Sequence, residues 1–74
     1  MIELNWEIQG QGVQLTEYNN KFYQIVRIDK IIYRCFEIQM KGQHEIRKYL
    51  FDRKNPKDAR KTVSRYIEGK KVYL

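Results

Sequence analysis

Residues 13–28, VQLTEYNNKFYQIVRI, decide the fold. Asn19-Asn20 interrupts two runs of strand-forming residues, and asparagine tolerates the positive φ that a two-residue hairpin turn demands. The turn therefore pairs Tyr18 with Lys21. Counting outward from that pair sorts the side chains onto two faces, because successive residues of a strand point to opposite sides. Val13, Leu15, Phe22, Val26 and Ile28 share one face, and Thr16, Tyr18, Tyr23, Ile25 and Arg27 share the other. The first set is the more apolar and is expected to form the core.

Working outward, Asp29-Lys30 marks a further turn, Ile31 to Met40 a third strand and His44 to Phe51 a fourth, after a turn at Lys41-Gly42-Gln43. Three-residue loops at the two later turns add Ile32, Phe36, Ile38, Met40, Ile46 and Leu50 to the core face. They add Tyr33, Glu37, Glu45, Arg47 and Tyr49 to the open face, with Glu37 beside Arg47. Arg34 and Lys48 then point inward at the rim, where long stems can carry their charges back to water. Upstream, Ile2, Leu4, Trp6 and Ile8 alternate with Glu3, Asn5 and Glu7, and this period of two predicts a further, N-terminal strand over Ile2 to Ile8. Gln9-Gly10-Gln11-Gly12 separates it from the hairpin.

Downstream, Asn55 is an N-cap candidate, Pro56 suits the first helical position and Asp58 suits the positive end of the helix dipole. Ala59, Val63, Tyr66 and Ile67 recur at helical spacing, Gly69 is a C-terminal stop, and Val72-Tyr73-Leu74 forms a short apolar tail. The expected architecture is a single α+β domain over residues 1–74. It has an antiparallel sheet of four to five strands with one C-terminal helix packed on one face.

Charge is distributed unevenly. The first twenty residues hold Glu3, Glu7 and Glu17 and no base, whereas the rest hold all fifteen Lys and Arg against six acids. The net charge is +6. A surplus of this kind points to a polyanionic partner, with nucleic acid first. The helix region concentrates it in Arg53, Lys54, Lys57, Arg60, Lys61, Arg65, Lys70 and Lys71, and Lys57–Lys61 and Lys61–Arg65 are like-charge pairs at i,i+4, which a helix built for stability alone would avoid. On the open face, Tyr23, Arg27, Tyr33, Arg47 and Tyr49 interleave guanidinium and aromatic groups that can contact bases and phosphates.

Other classes find less support. The sole cysteine, Cys35, permits no internal disulfide, and no Cys/His set suits a structural zinc. His44 is the only histidine, the acids are scattered singly, and Gly10-Gln11-Gly12 has neither the following helix nor the Lys-Ser/Thr of a phosphate loop. We expect no catalysis, cofactor or metal. No apolar stretch approaches the roughly 18–20 residues that cross a bilayer. The acidic start MIELNWEI is unlike a secretion signal, so a cytoplasmic location is expected.

The stretches KFYQIVRI, IIYRCFEIQM and HEIRKYLF followed by NPKDARKTVSRYI resemble AP2-like DNA-binding modules, including the integrase arm-binding type. In those modules three antiparallel strands precede a helix packed across the sheet, and the open sheet face enters the major groove. Phe51 and Ala59 would take the places of an aromatic at the last strand end and an alanine on the helix. The resemblance implies that Arg27 and Arg47 face bases or phosphates and that Tyr23, Tyr33 and Tyr49 lie on the reading face. The leading expectation is thus a non-catalytic nucleic-acid-binding protein, with duplex DNA favoured over RNA. The alternative is an interaction or inhibitor module that docks on an acidic partner, or pairs as a homodimer through the strand Ile2 to Ile8.

Overall fold

The structure, a computed structural model, describes residues 2–72, so Tyr73 and Leu74 of the apolar tail lie outside the described residues. Asn19 and Asn20 both adopt positive φ, 51° and 65°, and close the hairpin of β2 (Val13–Tyr18) and β3 (Lys21–Asp29) with Tyr18 opposite Lys21. The chain continues through β4 (Ile32–Lys41), β5 (His44–Arg53) and α1 (Pro56–Ile67). With the short β1 (Glu7–Ile8), the strands form a five-stranded antiparallel meander in the order β1-β2-β3-β4-β5.

The helix covers the opposite face of the sheet from the one expected. Tyr23, Ile25, Cys35 and Phe51 form the core with Ala59 and Val63 of α1, while Leu4, Trp6, Tyr33, Tyr66, Ile67 and Val72 pack around it. Small residues at the contact, Cys35, Ala59 and Val63, let the helix approach closely. The tyrosines bury rings while sending their hydroxyls to the margin. The hairpin and the β3–β4 ladder keep the expected pairing, with Val26 opposite Arg34 and Phe22 opposite Ile38. Val13, Leu15, Phe22, Val26, Phe36 and Ile38 therefore do share a face, but it is the face without a helix, and of these six Ile38 is the one that is buried, at 6% exposure.

The last hairpin also departs from expectation. Its turn contains two residues, with Lys41 opposite His44 and Gly42 at φ 61°. This slip by one residue sets Arg47 opposite Ile38 and Lys48 opposite Glu37. The register shifts again between Tyr49 and Phe51, where Leu50 is the extra residue of a bulge. The bulge leaves Arg47 and Tyr49 on the open face and turns Phe51 and Arg53 toward the helix. Arg34 lies on the open face too, opposite Asp52.

The N-terminal segment alternates as read, but only Glu7–Ile8 pairs with the sheet. Residues 2–6 instead strap the helix side. The Ile2 N–H donates to Glu68 Oε1 at 2.7 Å, and Thr16 Oγ1 donates to the Asn5 carbonyl at 2.8 Å. Gly12 is a packing position: a Cβ there would stand 2.8 Å from the Arg27 Cβ, and its carbonyl accepts the Arg27 N–H at 2.7 Å.

The helix begins as its sequence dictates. The Asn55 side chain accepts the Asp58 N–H at 2.7 Å. At the other end the Glu68, Gly69 and Lys70 N–H groups return to carbonyls of Ser64, Tyr66 and Arg65, with Gly69 at φ 76°.

Candidate nucleic-acid interface

The sheet separates two surfaces of different chemistry. On the helix side, Lys57, Lys61 and Arg65 follow one another at four-residue spacing along the outward line of α1, and all three are exposed. Lys54 and Lys71 are exposed at either end of the helix. Around this line, Arg60 Nη1 donates to Gln14 Oε1 at 2.8 Å, Arg65 Nη2 to the Lys71 carbonyl at 3.4 Å, and Lys70 pairs with Glu68 at 3.0 Å. Residues 53–71 hold eight bases against Asp58 and Glu68.

Arg53 is structural. Its guanidinium sits 4.7 Å from the Phe51 ring centroid, donates to the Asp52 carbonyl at 2.7 Å and to Thr62 Oγ1 at 3.3 Å, and lies 3.8 Å from Asp58. It ties the end of β5 to the start of α1.

A cleft of about 310 Å³ separates the N-terminal segment from α1, with Leu4 and Trp6 on one wall and Arg60, Ser64 and Arg65 on the other. The acids of the N-terminal half gather elsewhere. Glu3, Glu7 and Glu17 line a groove of about 380 Å³ at the β1–β2 edge, beside Leu15 and Phe22.

The open sheet face has a different character. Arg47 Nη1 donates to Gln24 Oε1 at 2.7 Å, and its guanidinium carbon lies 5.0 Å from the Phe36 ring centroid. Phe36 and Tyr49 meet edge to face at 6.3 Å. Arg34 lies 5.2 Å from the Tyr49 ring and holds Asp52 through two hydrogen bonds, of 2.9 and 3.2 Å. Those bonds hold the Asp52 carboxyl below the usual carboxylate range, against the opposing effect of its partial burial. This alternation of guanidinium and ring places two of the expected residues, Arg47 and Tyr49, with Arg34 and Phe36, which read as inward-facing only while this face was taken as the core.

The other three expected face residues lie elsewhere. Tyr23 is 4% exposed beneath the helix, its ring 6.5 Å from that of Tyr66 and its hydroxyl donating to Glu37 Oε2 at 3.1 Å. Burial first, and the neighbouring Glu37 second, push that hydroxyl's pKa well above the usual tyrosine range. Tyr33 is half-buried against the core. Arg27 is exposed, but its guanidinium donates to the carbonyls of Asp29 and Lys30 at 3.2 Å each, bracing the β3–β4 turn.

Cys35 is buried, and burial pushes its thiol up to about 12. His44 is exposed beside the last turn. Among the described residues no cluster of three His, Cys, Asp or Glu side chains could hold a metal, and no helix is long and apolar enough to cross a membrane. No protein-family model, no curated protein and no solved structure matches this chain.

Proposed function

We propose that the protein binds nucleic acid without catalysis, and that the outward face of α1 carries the contact with the phosphate backbone. The supporting observation is the segregation of charge. Lys54, Lys57, Lys61, Arg65 and Lys71 are exposed on or beside the helix, while Glu3, Glu7 and Glu17 collect at the far β1–β2 corner. A polyanion approaching the helix meets these bases with Asp58 among them but without Glu3, Glu7 and Glu17. The helix and the open sheet face lie on opposite sides of the sheet, so one duplex cannot occupy both. The open face carries Arg34 and Arg47 against Glu17, Glu45 and Asp52, a balance that does not favour phosphate. A straight line of charges along a helix suits the regular phosphate spacing of duplex DNA, which remains the first ligand to test, ahead of RNA.

Fluorescence anisotropy with duplex DNA, single-stranded DNA and RNA at two salt concentrations tests this reading. Binding is expected to weaken steeply with salt. Replacing Lys57, Lys61 and Arg65 together with alanine should lower the slope of log K against log salt by about 2–3, at roughly 0.9 per lost phosphate contact. Arg47→Ala, on the other face, should leave the slope unchanged. Affinity insensitive to salt, or a larger loss from Arg47→Ala than from the helix variant, would overturn the helix reading.

A second reading concerns the other side. The open face is more apolar than charged, and Tyr49 and Met40 are 54% and 52% exposed on it. A surface of that composition suits a protein partner better than a polyanion.

A further inference from the structure

The ladder pairings arrange the open face as a grid. Residues directly opposite on neighbouring strands share a face, so the registers can be read across β2, β3, β4 and β5. The first row runs Glu17, Phe22, Ile38, Arg47. The next runs Leu15, Gln24, Phe36, Tyr49, and the third Val13, Val26, Arg34, Asp52. The first row has an acid at one end, a base at the other and two apolar residues between. Such a row is complementary to its own reverse.

We propose that a second copy of this chain covers the open face, related by a two-fold axis that runs parallel to the strands between β3 and β4. That rotation sets β2 over the partner's β5 and β3 over the partner's β4. Glu17 then meets the partner's Arg47, and by symmetry Arg47 meets the partner's Glu17, while Phe22 lies over the partner's Ile38, which its own neighbours already leave only 6% exposed. In the next row Leu15 lies over the partner's Tyr49. The third row, at one end of the face, sets Asp52 over the partner's Val13 and Arg34 over the partner's Val26, and these two charges are already joined as the Arg34–Asp52 pair. An isologous interface must be self-complementary in this way. The alternative two-fold, running across the strands through the middle row, sets Arg47 over an Asp52 that Arg34 already holds and sets Glu17 over Val13, so Glu17 meets no base.

Size supports the same occupant. Four strands at about 4.8 Å spacing and roughly seven residues at about 3.4 Å give a face of about 20 by 25 Å. Two such faces cover about 1,000 Å² in projection, the lower bound of a specific interface, before side-chain relief is counted. Nucleic acid is the poorer occupant because the face holds more acids than bases. The inference does not depend on the nucleic-acid reading, since the helix side takes no part in it.

The test is a charge-swap cycle followed by sedimentation velocity over a range of concentrations, with circular dichroism confirming the fold of each variant. Glu17 and Arg47 are both exposed, so their exchange leaves the core untouched. The wild-type chain is expected to dimerise. Glu17→Arg and Arg47→Glu each place two like-charge pairs in the interface and should raise the dimer dissociation constant at least tenfold. The double variant Glu17→Arg/Arg47→Glu should recover most of that loss. A monomer at every concentration, or a dimer indifferent to the single swaps, or a double variant no better than the singles, would overturn the proposal. The first of those outcomes would assign the face to a different protein.

Discussion

Arg34 and Asp52 show how one cross-strand pair can serve two purposes. The two hydrogen bonds fix the guanidinium, and the fixed guanidinium lies over the Tyr49 ring, so the pair also orders the aromatic end of the open face. Asp52 is held below the usual carboxylate range chiefly by the hydrogen bonds from Arg34. A carboxylate whose pKa is lowered on folding adds stability above its unfolded pKa and loses it as pH falls through the folded value. The contribution is therefore complete at neutral pH and fades below about pH 4. Glu68, lowered first by the Ile2 N–H and then by Lys70, fades in the same direction, so acid titration of the wild type alone does not separate them. Asp52→Asn does. Urea denaturation at pH 7 should show the variant less stable than the wild type, by a modest amount because both partners are partly solvated, and the gap should be smaller at about pH 3, below the ordinary carboxylate range. A gap of equal size at both pH values would assign the loss to packing rather than to the ion pair.

The helix was legible from its ends because its signals are local. Asn55, Pro56 and Gly69 act within a few residues of themselves, and the Asn55 side chain caps the Asp58 N–H as its position implies. Asn55→Ala should cost about 1 kcal/mol in chemical denaturation, whereas Asn55→Asp should retain nearly all the stability; equal losses from the two would mean that the cap is not the source. The first hairpin was legible for the same reason, since two asparagines with positive φ fix its register. The last hairpin was not. A two-residue turn at Gly42-Gln43 and a bulge at Leu50 change the register twice within ten residues; Gly42 suits a two-residue turn and a three-residue loop alike, and the bulge leaves no residue type that demands it. The choice of covered face was hidden for a different reason. Both faces carry enough apolar residues for a core, and the more apolar one is left open, so burial alone could not rank them. What ranks them is the fit of α1 onto Tyr23, Ile25 and Cys35. The alternation from Ile2 to Ile8 was read correctly as two-sided but wrongly as a ladder: Leu4 and Trp6 pack around the core, and only Glu7–Ile8 pairs with β2. Of the candidate site, the basic helix was visible in composition, whereas the Arg34, Phe36, Arg47, Tyr49 grouping needed the true register of β5.

Taken as a whole, the molecule is a two-layer body with its helix on one side and an apolar sheet face on the other, and combining the two proposals has a geometric consequence. If the open faces of two copies meet, the sheets stack about 10 Å apart, and each helix, about 10 Å across, lies on the outside of its own sheet. The two helix axes are then roughly 30 Å apart and their bases point in opposite directions. Such a dimer cannot lay both helices along one straight duplex. It should instead hold two duplexes, one on each side. The prediction is that the wild-type protein draws a labelled duplex onto beads that carry a second, unlabelled one, and that Glu17→Arg does so poorly while still binding DNA in anisotropy. That substitution makes the protein more basic, so a loss of bridging cannot be ascribed to weaker attraction for phosphate. Adding Arg47→Glu should bring bridging back. Bridging that survives Glu17→Arg unchanged would mean that the two duplexes are held by some other arrangement of the basic helices, even if the affinity for a single duplex behaves as proposed.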